Sequence, residues 1–276
     1  MRKIAHLSDL HFGEADPVIV AALLADINAD PPHLVIVSGD LTKGARNSEF
    51  AEARRFFDQL GAPVLAVPGN HDISPYHLVQ RFTRPYARFR RWIDAEIEPT
   101  YIDDELIVVG LNSARRWGPS LNWAHGRLSR RQVARAARRL KITPKSSFKI
   151  AVLHHPVLEP MAGSRQRIVG RLPAALQILD EAGVDILLAG HLHTGEARYL
   201  NVSPDRAILA IQCASATSAR RRGEPNAFNR LTLEAPLLRL EVKAWSGTAF
   251  VASEQSLWIK GKAGWERAPG TATQTA

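Results

Sequence analysis

The sequence predicts an α/β fold in which parallel strands alternate with helices. Three continuous apolar runs, Ile4–Leu7, His33–Val37 and Ala62–Val67, each stop at polar residues, and helical patterns separate them. A strand–helix–strand order of this kind implies parallel strands with the helices as crossovers. In such sheets a ligand binds beyond the carboxyl ends of the strands, so we expect the functional site at that edge.

Cap residues mark the first two helices. Asp16-Pro17, an N-cap residue followed by proline at the first helical position, predicts a helix that runs to Ile27 and stops before Pro31-Pro32. Ser48 caps a second helix over Glu49–Leu60, which Gly61 ends. The apolar side chains of this second helix share one side, so that side is expected to face a core.

The middle of the chain is basic. Residues 75–94 look helical, 101–111 read as a hairpin, and 112–126 form a loop. Ser129 caps a further helix, 129–141, whose apolar positions follow helical spacing. Its other face carries Arg130, Arg131, Arg135, Arg138 and Arg139. A helix that binds DNA could have this pattern, but a solvated basic face is the preferred interpretation.

The strand–helix alternation then resumes. Phe148–Leu153 and Val184–Ala189 are predicted strands, and Leu172–Ala182 is a predicted helix between them. Residues 197–259 contain alternating apolar runs and no helix signal, so we expect antiparallel strands there.

The domain prediction follows from this order. We expect one domain over residues 1–260, made of a strand–helix part that bears the candidate ligands, 1–195, and an antiparallel second-sheet part, 196–260, packed on the first sheet. The polar remainder, 261–276, is predicted to be a flexible tail.

Composition narrows the class of protein. The 276 residues are 45% hydrophobic, which suffices for a sizeable core, and 36 Lys+Arg against 27 Asp+Glu give a net charge of +9. That excess suits an anionic ligand such as a phosphate, a nucleotide or nucleic acid, and equally a merely soluble surface. The single cysteine, Cys213, excludes an intrachain disulfide. With no signal peptide or membrane-spanning run, we expect a cytoplasmic protein of unspecified oligomeric state that does not bind membranes.

Residues that can bind metal ions follow five of the predicted strands. They are Asp9-Leu10-His11, Gly39-Asp40, Gly69-Asn70-His71-Asp72, His154-His155 and Gly190-His191-Leu192-His193. Because parallel strands end at the same edge of a sheet, we expect these side chains to converge. At the first of them, period-two alternation along a strand would place Asp9 and His11 on one side of the backbone.

Seven of these side chains offer nitrogen or oxygen donors: Asp9, His11, Asp40, Asn70, His154, His191 and His193. Seven donors are too many for one tetrahedral site and suit two five- or six-coordinate ions that share a carboxylate. The absence of thiolates argues against a structural zinc site. Glycines precede Asp40, Asn70 and His191 and allow sharp turns and close approach of the backbone.

The motif set resembles the signature of the calcineurin-like metallophosphoesterases, which is D-x-H, G-D, G-N-H-[DE], H and G-H-x-H. The resemblance spans residues 1–195. The segments HLSDLHFG, VSGDLT, VPGNHD, HHPV and AGHLH are most similar to the bacterial cyclic-nucleotide phosphodiesterase and glycerophosphodiesterase branch. This resemblance implies a four-layer α/β/β/α sandwich of two mixed sheets facing each other, with the helices outside.

The resemblance also implies a role for each motif residue. One metal ion would be bound by Asp9, His11 and His193, the other by Asn70, His154 and His191, and Asp40 would bridge them together with a shared hydroxide. His71 would assist the leaving group, and Asp72 would orient His71 through a hydrogen bond. His154 is preferred to His155 as the ligand, which leaves His155 to line the substrate pocket or to support the ligands.

These features predict a metal-dependent phosphodiesterase. Its expected substrate is a small phosphodiester, preferably a 3′,5′-cyclic nucleotide, which the bridging hydroxide attacks while His71 assists the leaving group. Two manganese or iron ions are preferred, and zinc, cobalt and nickel also suit nitrogen and oxygen donors. His155, Arg165 and Arg167 are candidate substrate contacts, because the loop after the His154 strand would overhang the metals.

Two alternatives stay open. A nuclease or a phosphomonoesterase could use the same site, and the net charge of +9 allows nucleic acid as a partner, although it is not the favoured one. A catalytically silent scaffold of the same fold is the non-enzymatic alternative, and the complete set of predicted ligands argues against it.

Overall fold

The computed structural model describes residues 1–117, 124–142, 147–159, 167–192, 195–203, 206–218, 224–262 and 264–269. Its helices are α1 Pro17–Ala29, α2 Asn47–Asp58, α3 Leu78–Thr83, α4 Ala87–Trp92, α5 Arg130–Lys141 and α6 Leu172–Glu181. Its strands are β1 Arg2–Leu7, β2 Leu34–Val37, β3 Val64–Ala66, β4 Thr100–Ile102, β5 Leu106–Gly110, β6 Phe148–Val152, β7 Ile186–Ala189, β8 Glu196–Ser203, β9 Arg206–Gln212, β10 Ala227–Glu234, β11 Leu237–Trp245, β12 Phe250–Gly261 and β13 Gly264–Arg267.

These strands form two mixed sheets. The first has the order β13-β12-β11-β10-β1-β2-β3, in which β1, β2 and β3 are parallel and β10 is antiparallel to β1. The second has the order β4-β5-β6-β7-β9-β8, in which β5, β6, β7 and β9 are parallel. The short α/β crossovers therefore bring the carboxyl ends of β1, β2 and β3 to one edge, as the sequence predicts.

The core is divided into layers by the alternation of side chains along each strand. Ile4 and Ile36 face the second sheet and pack with Ile150 and Leu188 between the two sheets. Residues of opposite parity in the first sheet pack under α1, α2 and α4, and those of the second sheet pack under α5 and α6. The arrangement is the expected four-layer α/β/β/α sandwich. No helix in the described part of the chain is long and apolar enough to span a membrane.

The prediction that residues 196–260 form a second sheet of their own is wrong. β8 and β9 extend the second sheet, whereas β10, β11, β12 and β13 extend the first. β9 and β10 belong to different sheets because β10 pairs with the free edge of β1, with Ile4 opposite Leu231. Both sheets thereby gain an antiparallel edge, which alternating apolar runs alone cannot assign to one sheet or the other.

The predicted start of the flexible tail at residue 261 is also wrong, because ordered strand structure continues beyond it. β12 continues to Gly261, and β13 pairs with it antiparallel. Trp265 is only 3% exposed, stacks on Phe148 with ring centroids 6.4 Å apart, and donates from Nε1 to the carbonyl oxygen of Asp185 at 2.9 Å. Burial of this indole fixes residues 264–267 to the core, so they belong to the domain.

Candidate metal centre

The loops after β1 and β2 run side by side and position the first group of candidate ligands. Asp9 N donates to the Gly39 carbonyl oxygen at 3.1 Å, and His11 N donates to the Asp40 carbonyl oxygen at 3.0 Å. Phe12 N continues the series by donating to Leu41 O at 2.9 Å. This short ladder holds the side chains of Asp9, His11 and Asp40 in one cluster, within 4.8 Å of one another by their ligand atoms.

Four of the candidate ligands have left-handed backbone conformations. The φ angles are 52° at Asp9, 49° at His11, 53° at Asp40 and 74° at His191. β1 ends at Leu7, so Asp9 and His11 converge through these turns and the predicted alternation along a strand is wrong here. Each such residue costs roughly 1–2 kcal/mol, and strain of this kind concentrates at functional sites.

Asp40 joins two clusters. Its Oδ1 accepts a hydrogen bond from His71 N at 2.9 Å, which fixes the carboxylate plane. Its Oδ2 lies 3.8 Å from His11 Nε2 on one side and 3.3 Å from His154 Nε2 on the other. One carboxylate oxygen therefore faces both histidines, as a ligand shared between two ions would require.

The second cluster consists of Asp40, His154 and His191. His154 Nε2 lies 3.1 Å from His191 Nδ1 and 3.2 Å from Asn70 Oδ1. Asn70 therefore approaches this cluster as expected. His154, and not its neighbour in the sequence, supplies the ring nitrogen at its centre. Asp9 links the two clusters from behind, because its Oδ2 accepts from His191 N at 2.9 Å.

The hydrogen bond of His154 assigns its tautomer. Its Nδ1 lies 2.8 Å from the carbonyl oxygen of Ser38, and because a carbonyl only accepts, Nδ1 carries the hydrogen. Nε2 is thus the nitrogen that can bind a metal ion. Burial opposes the charged form of His154, but the carboxylates of Asp40 and Asp9 outweigh it and raise the pKa to about 9. The carboxyl pKa of Asp40, which burial would raise, is held well below its usual value by His154, His71 and His11.

Two of the motif glycines are required by close approach. A Cβ at Gly69 would lie 2.8 Å from Asp40 Cγ and closer still to its Oδ1 and backbone nitrogen. A Cβ at Gly190 would lie 2.8 Å from Ser8 Cβ. Both distances are shorter than real Cβ contacts, so the glycines let the loops after β3 and β7 close onto the loops after β1 and β2.

His71 lies beside the first cluster. Its ring is edge-on to that of His11, with centroids 4.9 Å apart, and its Nδ1 donates to the carbonyl oxygen of Lys43 at 2.8 Å. The expected hydrogen bond between His71 and the Asp72 carboxylate does not orient this ring. The Lys43 carbonyl does so, and this leaves Nε2 as the nitrogen free of that bond.

Asp72 instead braces the loops. Its carboxylate accepts from the backbone N–H groups of Leu41 at 3.2 Å, Thr42 at 3.0 Å and Gly69 at 2.8 Å, and from Thr42 Oγ1 at 2.9 Å. Burial and the nearby charge of Asp40 raise its pKa to about 6. The expectation failed because backbone N–H groups, which sequence motifs do not display, lie closer to the carboxylate than the ring does.

The remaining predicted site residues divide into two groups. His155 is 1% exposed and lies against the rings of His154 and His191, with centroids 5.0 Å away in each case. Its Nδ1 lies 2.8 Å from Ser113 Oγ, which suits a residue that supports the ligand histidines. Arg167 is exposed. His193 and Arg165 lie outside the described residues.

Several residues that the sequence did not predict form hydrogen bonds that position the candidate ligands. Ser8 Oγ donates to Asp9 Oδ2 at 2.6 Å, and its position next to the Asp-x-His motif could have indicated it. Ser215 Oγ donates to the Asp9 carbonyl oxygen at 2.8 Å, and Thr217 Oγ1 to that of Leu10 at 2.6 Å. These two residues lie more than 200 positions away in the chain, and no local signal points to them.

The sequence profile of the calcineurin-like phosphoesterases matches residues 2–195. The chain belongs to this family. As a member of it, the protein is a metal-dependent phosphoric ester hydrolase, and the resemblance found in its motifs is confirmed.

Curated relatives agree with the family. A probable cyclic nucleotide phosphodiesterase from Synechococcus is 25% identical over 69% of this chain and 72% of its own length. The 3′,5′-cyclic adenosine monophosphate phosphodiesterase CpdA of Escherichia coli is 26% identical over 61% of this chain and 59% of its own length. The glycerophosphodiester phosphodiesterase GpdQ of Enterobacter lignolyticus is 33% identical, but over only 25% of this chain and 29% of its own length.

Solved structures support the fold. A dimetal phosphatase from Danio rerio superposes with a TM-score of 0.63 at 12% identity, over 88% of this chain and 96% of that one. The sandwich architecture therefore recurs in a phosphatase whose sequence has diverged almost completely.

Proposed function

We propose that this protein hydrolyses a small organic phosphodiester at a dinuclear metal centre, with a 3′,5′-cyclic nucleotide as the preferred substrate class. The observation that carries the proposal is the position of Asp40 Oδ2, between His11 Nε2 at 3.8 Å and His154 Nε2 at 3.3 Å. A carboxylate oxygen shared by two donor clusters suits two ions and no smaller arrangement.

The donor set fits such ions. We assign Asp9, His11 and His193 to one ion, Asn70, His154 and His191 to the other, and Asp40 to both. Buried nitrogen and oxygen donors without thiolates suit manganese or iron best, and zinc, cobalt and nickel also fit. When bound, the ions neutralise the phosphoryl oxygens and activate water at neutral pH.

The protein's own groups supply orientation and a proton. The Ser38 carbonyl holds the His154 ring with Nε2 inward, and the Lys43 carbonyl holds the His71 ring by its Nδ1 hydrogen. We assign to His71 Nε2 the proton that the leaving alkoxide needs, since the Lys43 carbonyl engages only the Nδ1 of this ring and the ring lies beside the first cluster. Asp72 acts on this group only indirectly, by fixing the backbone between Leu41 and Gly69.

The substrate class rests on the relatives. Two are named for cyclic nucleotide hydrolysis and one for glycerophosphodiesters, all of them phosphodiesters. A role for the basic helix α5 in binding nucleic acid gains little support, because Arg135 pairs with Glu98 and Arg139 donates to the Glu98 carbonyl oxygen. Two of its arginines therefore stabilise the domain itself. The buried Cys213 is compatible with the expected cytoplasmic location.

A substrate panel tests the proposal. The protein loaded with Mn²⁺ or Fe²⁺ is assayed on bis(p-nitrophenyl) phosphate, cyclic AMP, a glycerophosphodiester, p-nitrophenyl phosphate and single-stranded DNA. We expect turnover of the diesters, highest for the cyclic nucleotide. Turnover of the monoester or of DNA alone would favour the phosphomonoesterase or nuclease alternative. No turnover by protein containing two ions per chain would favour the catalytically silent scaffold.

The His71→Ala variant tests the assigned proton donor. Loss of general acid catalysis is expected to lower kcat by roughly 10²–10⁴-fold while both metal ions stay bound. His77→Ala is the matched control, because His77 is an exposed histidine six positions further along the chain. Wild-type kcat in metal-loaded His71→Ala would contradict the assignment.

A further inference from the structure

Three arginines extend from backbone segments that are hydrogen-bonded to one another beside the second cluster. Arg127 N donates to the Ser113 carbonyl oxygen at 3.0 Å. This bond brings Arg127 next to the segment that carries Arg115, two residues after Ser113. Gly170 N donates to the Gly126 carbonyl oxygen at 3.0 Å, and Arg171 follows directly. Arg115, Arg127 and Arg171 thus come from three loops that the fold ties together.

One histidine ring separates these loops from the candidate ligands. Ser113 Oγ lies 2.8 Å from His155 Nδ1, and a Cβ at Gly126 would lie 2.7 Å from His155 Cβ. The His155 ring in turn lies 5.0 Å, centroid to centroid, from the rings of His154 and His191. The arginine-bearing loops therefore contact His155, and His155 in turn contacts the second cluster.

Within the part of the chain that the structure describes, the positive charges of these arginines are not neutralised by a carboxylate. No carboxylate of the described residues forms an ion pair with Arg115, Arg127 or Arg171. Burial, and then the charges of Arg127 and Arg171, lower the pKa of Arg115. Arg127 and Arg171 are exposed and can reach a ligand. Like charges held together in this way are unfavourable unless an anion binds between them.

The backbone at this cluster is held rigidly. The Arg115 carbonyl oxygen accepts from Arg81 Nη2 at 3.2 Å, and the Arg116 carbonyl oxygen accepts from Arg81 Nε at 2.9 Å. The Arg127 stem lies on Gly170, where a Cβ would be 3.2 Å from Arg127 Cγ. Two of the three arginines are thus pre-positioned, which reduces the entropy lost on binding an anion.

We propose that Arg115, Arg127 and Arg171 form a second anion subsite, which binds an additional phosphate group of the substrate beyond the diester that is hydrolysed. The inference rests on the proposed function for its reaction, but the subsite itself is a binding property. Guanidinium groups suit this role because they form paired, charge-assisted hydrogen bonds with phosphate oxygens. A nucleotide diester, cyclic or not, that carries a further phosphate would then be preferred to the same diester without it.

A matched substrate pair tests selectivity. Thymidine 5′-(p-nitrophenyl phosphate) and its 3′-phosphorylated derivative differ only in the additional phosphate. For the wild type we expect kcat/KM to be roughly tenfold or more higher for the 3′-phosphorylated diester. In the Arg115→Gln/Arg127→Gln double variant this ratio should fall to about one. Arg239→Gln, an exposed arginine on β11, is the matched control and should keep the wild-type ratio.

A binding measurement reads the subsite without turnover. Isothermal titration calorimetry is carried out on the full chain after its metal ions have been removed with a chelator. It compares the affinity for thymidine 3′,5′-bisphosphate with the affinity for thymidine 5′-phosphate. We expect the bisphosphate to bind the wild type more tightly, and the double variant to bind both alike. Equal affinities in the wild type would overturn the subsite. Absence of diester turnover together with a retained bisphosphate preference would instead overturn the proposed function and leave the subsite standing.

Discussion

The Gly69→Ala variant gives the sharpest test of how the two clusters are assembled. Gly69 follows β3, and its Cβ side faces Asp40. An added Cβ would lie 2.8 Å from Asp40 Cγ and nearer to Oδ1, whereas ordinary van der Waals contact begins at 3.4 Å. Asp40 cannot retreat easily, because its carbonyl oxygen accepts from His11 N, its Oδ1 accepts from His71 N, and its neighbour Leu41 is held by Asp72. One methyl group should therefore displace the shared carboxylate.

The size of the effect follows from this geometry. Relieving the clash requires a shift of roughly 0.6–1.3 Å, and overpacking of a rigid site costs about 1–3 kcal/mol in unfolding free energy. A displacement of about 1 Å in a catalytic constellation lowers kcat by roughly 10²-fold. Because Asp40 faces both clusters, we expect Gly69→Ala to bind fewer than two ions per chain. Diester turnover should therefore decrease more than the loss of unfolding free energy alone would explain.

The assay combines metal content by mass spectrometry, urea unfolding and diester turnover. Gly61→Ala is the matched control, since the nearest atom to a Cβ there is 3.6 Å away, and it should retain both metal content and activity. The reasoning would be refuted by Gly69→Ala protein that carries two ions and turns over diesters at the wild-type rate.

Three stability predictions concern residues away from the ligands. Burial lowers the pKa of His6 to about 3. As the pH decreases below the unfolded value of 6.5, only the unfolded chain binds a proton at His6, so the folded state loses stability as the pH is lowered. Between pH 7 and 5 the wild type should lose about 2 kcal/mol more than His6→Gln in urea unfolding, and equal losses would contradict a neutral buried His6. Trp265→Ala should cost about 3–5 kcal/mol if β13 belongs to the core, and a cost below about 1 kcal/mol would restore the flexible tail. Arg81, which is 1% exposed, donates to the carbonyl oxygens of Ile73 and Arg116. Arg81→Lys should cost about 2–3 kcal/mol by chemical denaturation, because one ammonium group cannot reach both loops, and a melting temperature equal to that of the wild type would argue against this.

Much of the site could be predicted because its chemistry follows the strands. The apolar runs of β1, β2 and β3 are unambiguous, and parallel strands must end at one edge, so Asp9, Asp40 and Asn70 had to lie near one another. The structure brings these side chains together, and also His154 and His191 of the second sheet, which the sequence placed in the same set. The fold class followed from the same alternation together with the family resemblance.

What could not be predicted depends on backbone geometry and on distant pairing. The left-handed turns at Asp9 and His11 have no sequence signature, because neither residue is glycine. The hydrogen bonds of Asp72 go to N–H groups whose directions only the folded loops define. The choice of sheet for the carboxy-terminal strands depended on the free edge of β1, which no local pattern in 227–234 indicates.

The strain and the hydrogen bonding of the centre explain each other. Left-handed conformations at Asp9, His11, Asp40 and His191 would together cost roughly 4–8 kcal/mol in isolation, comparable to the stability of a whole domain. Backbone bonds between the loops after β1 and β2, and the bond from His191 N to Asp9 Oδ2, form in these conformations and offset the strain. The hydrogen bonds between the loops therefore hold the backbone of these donors in place, and the folding free energy of the sandwich contributes to their arrangement.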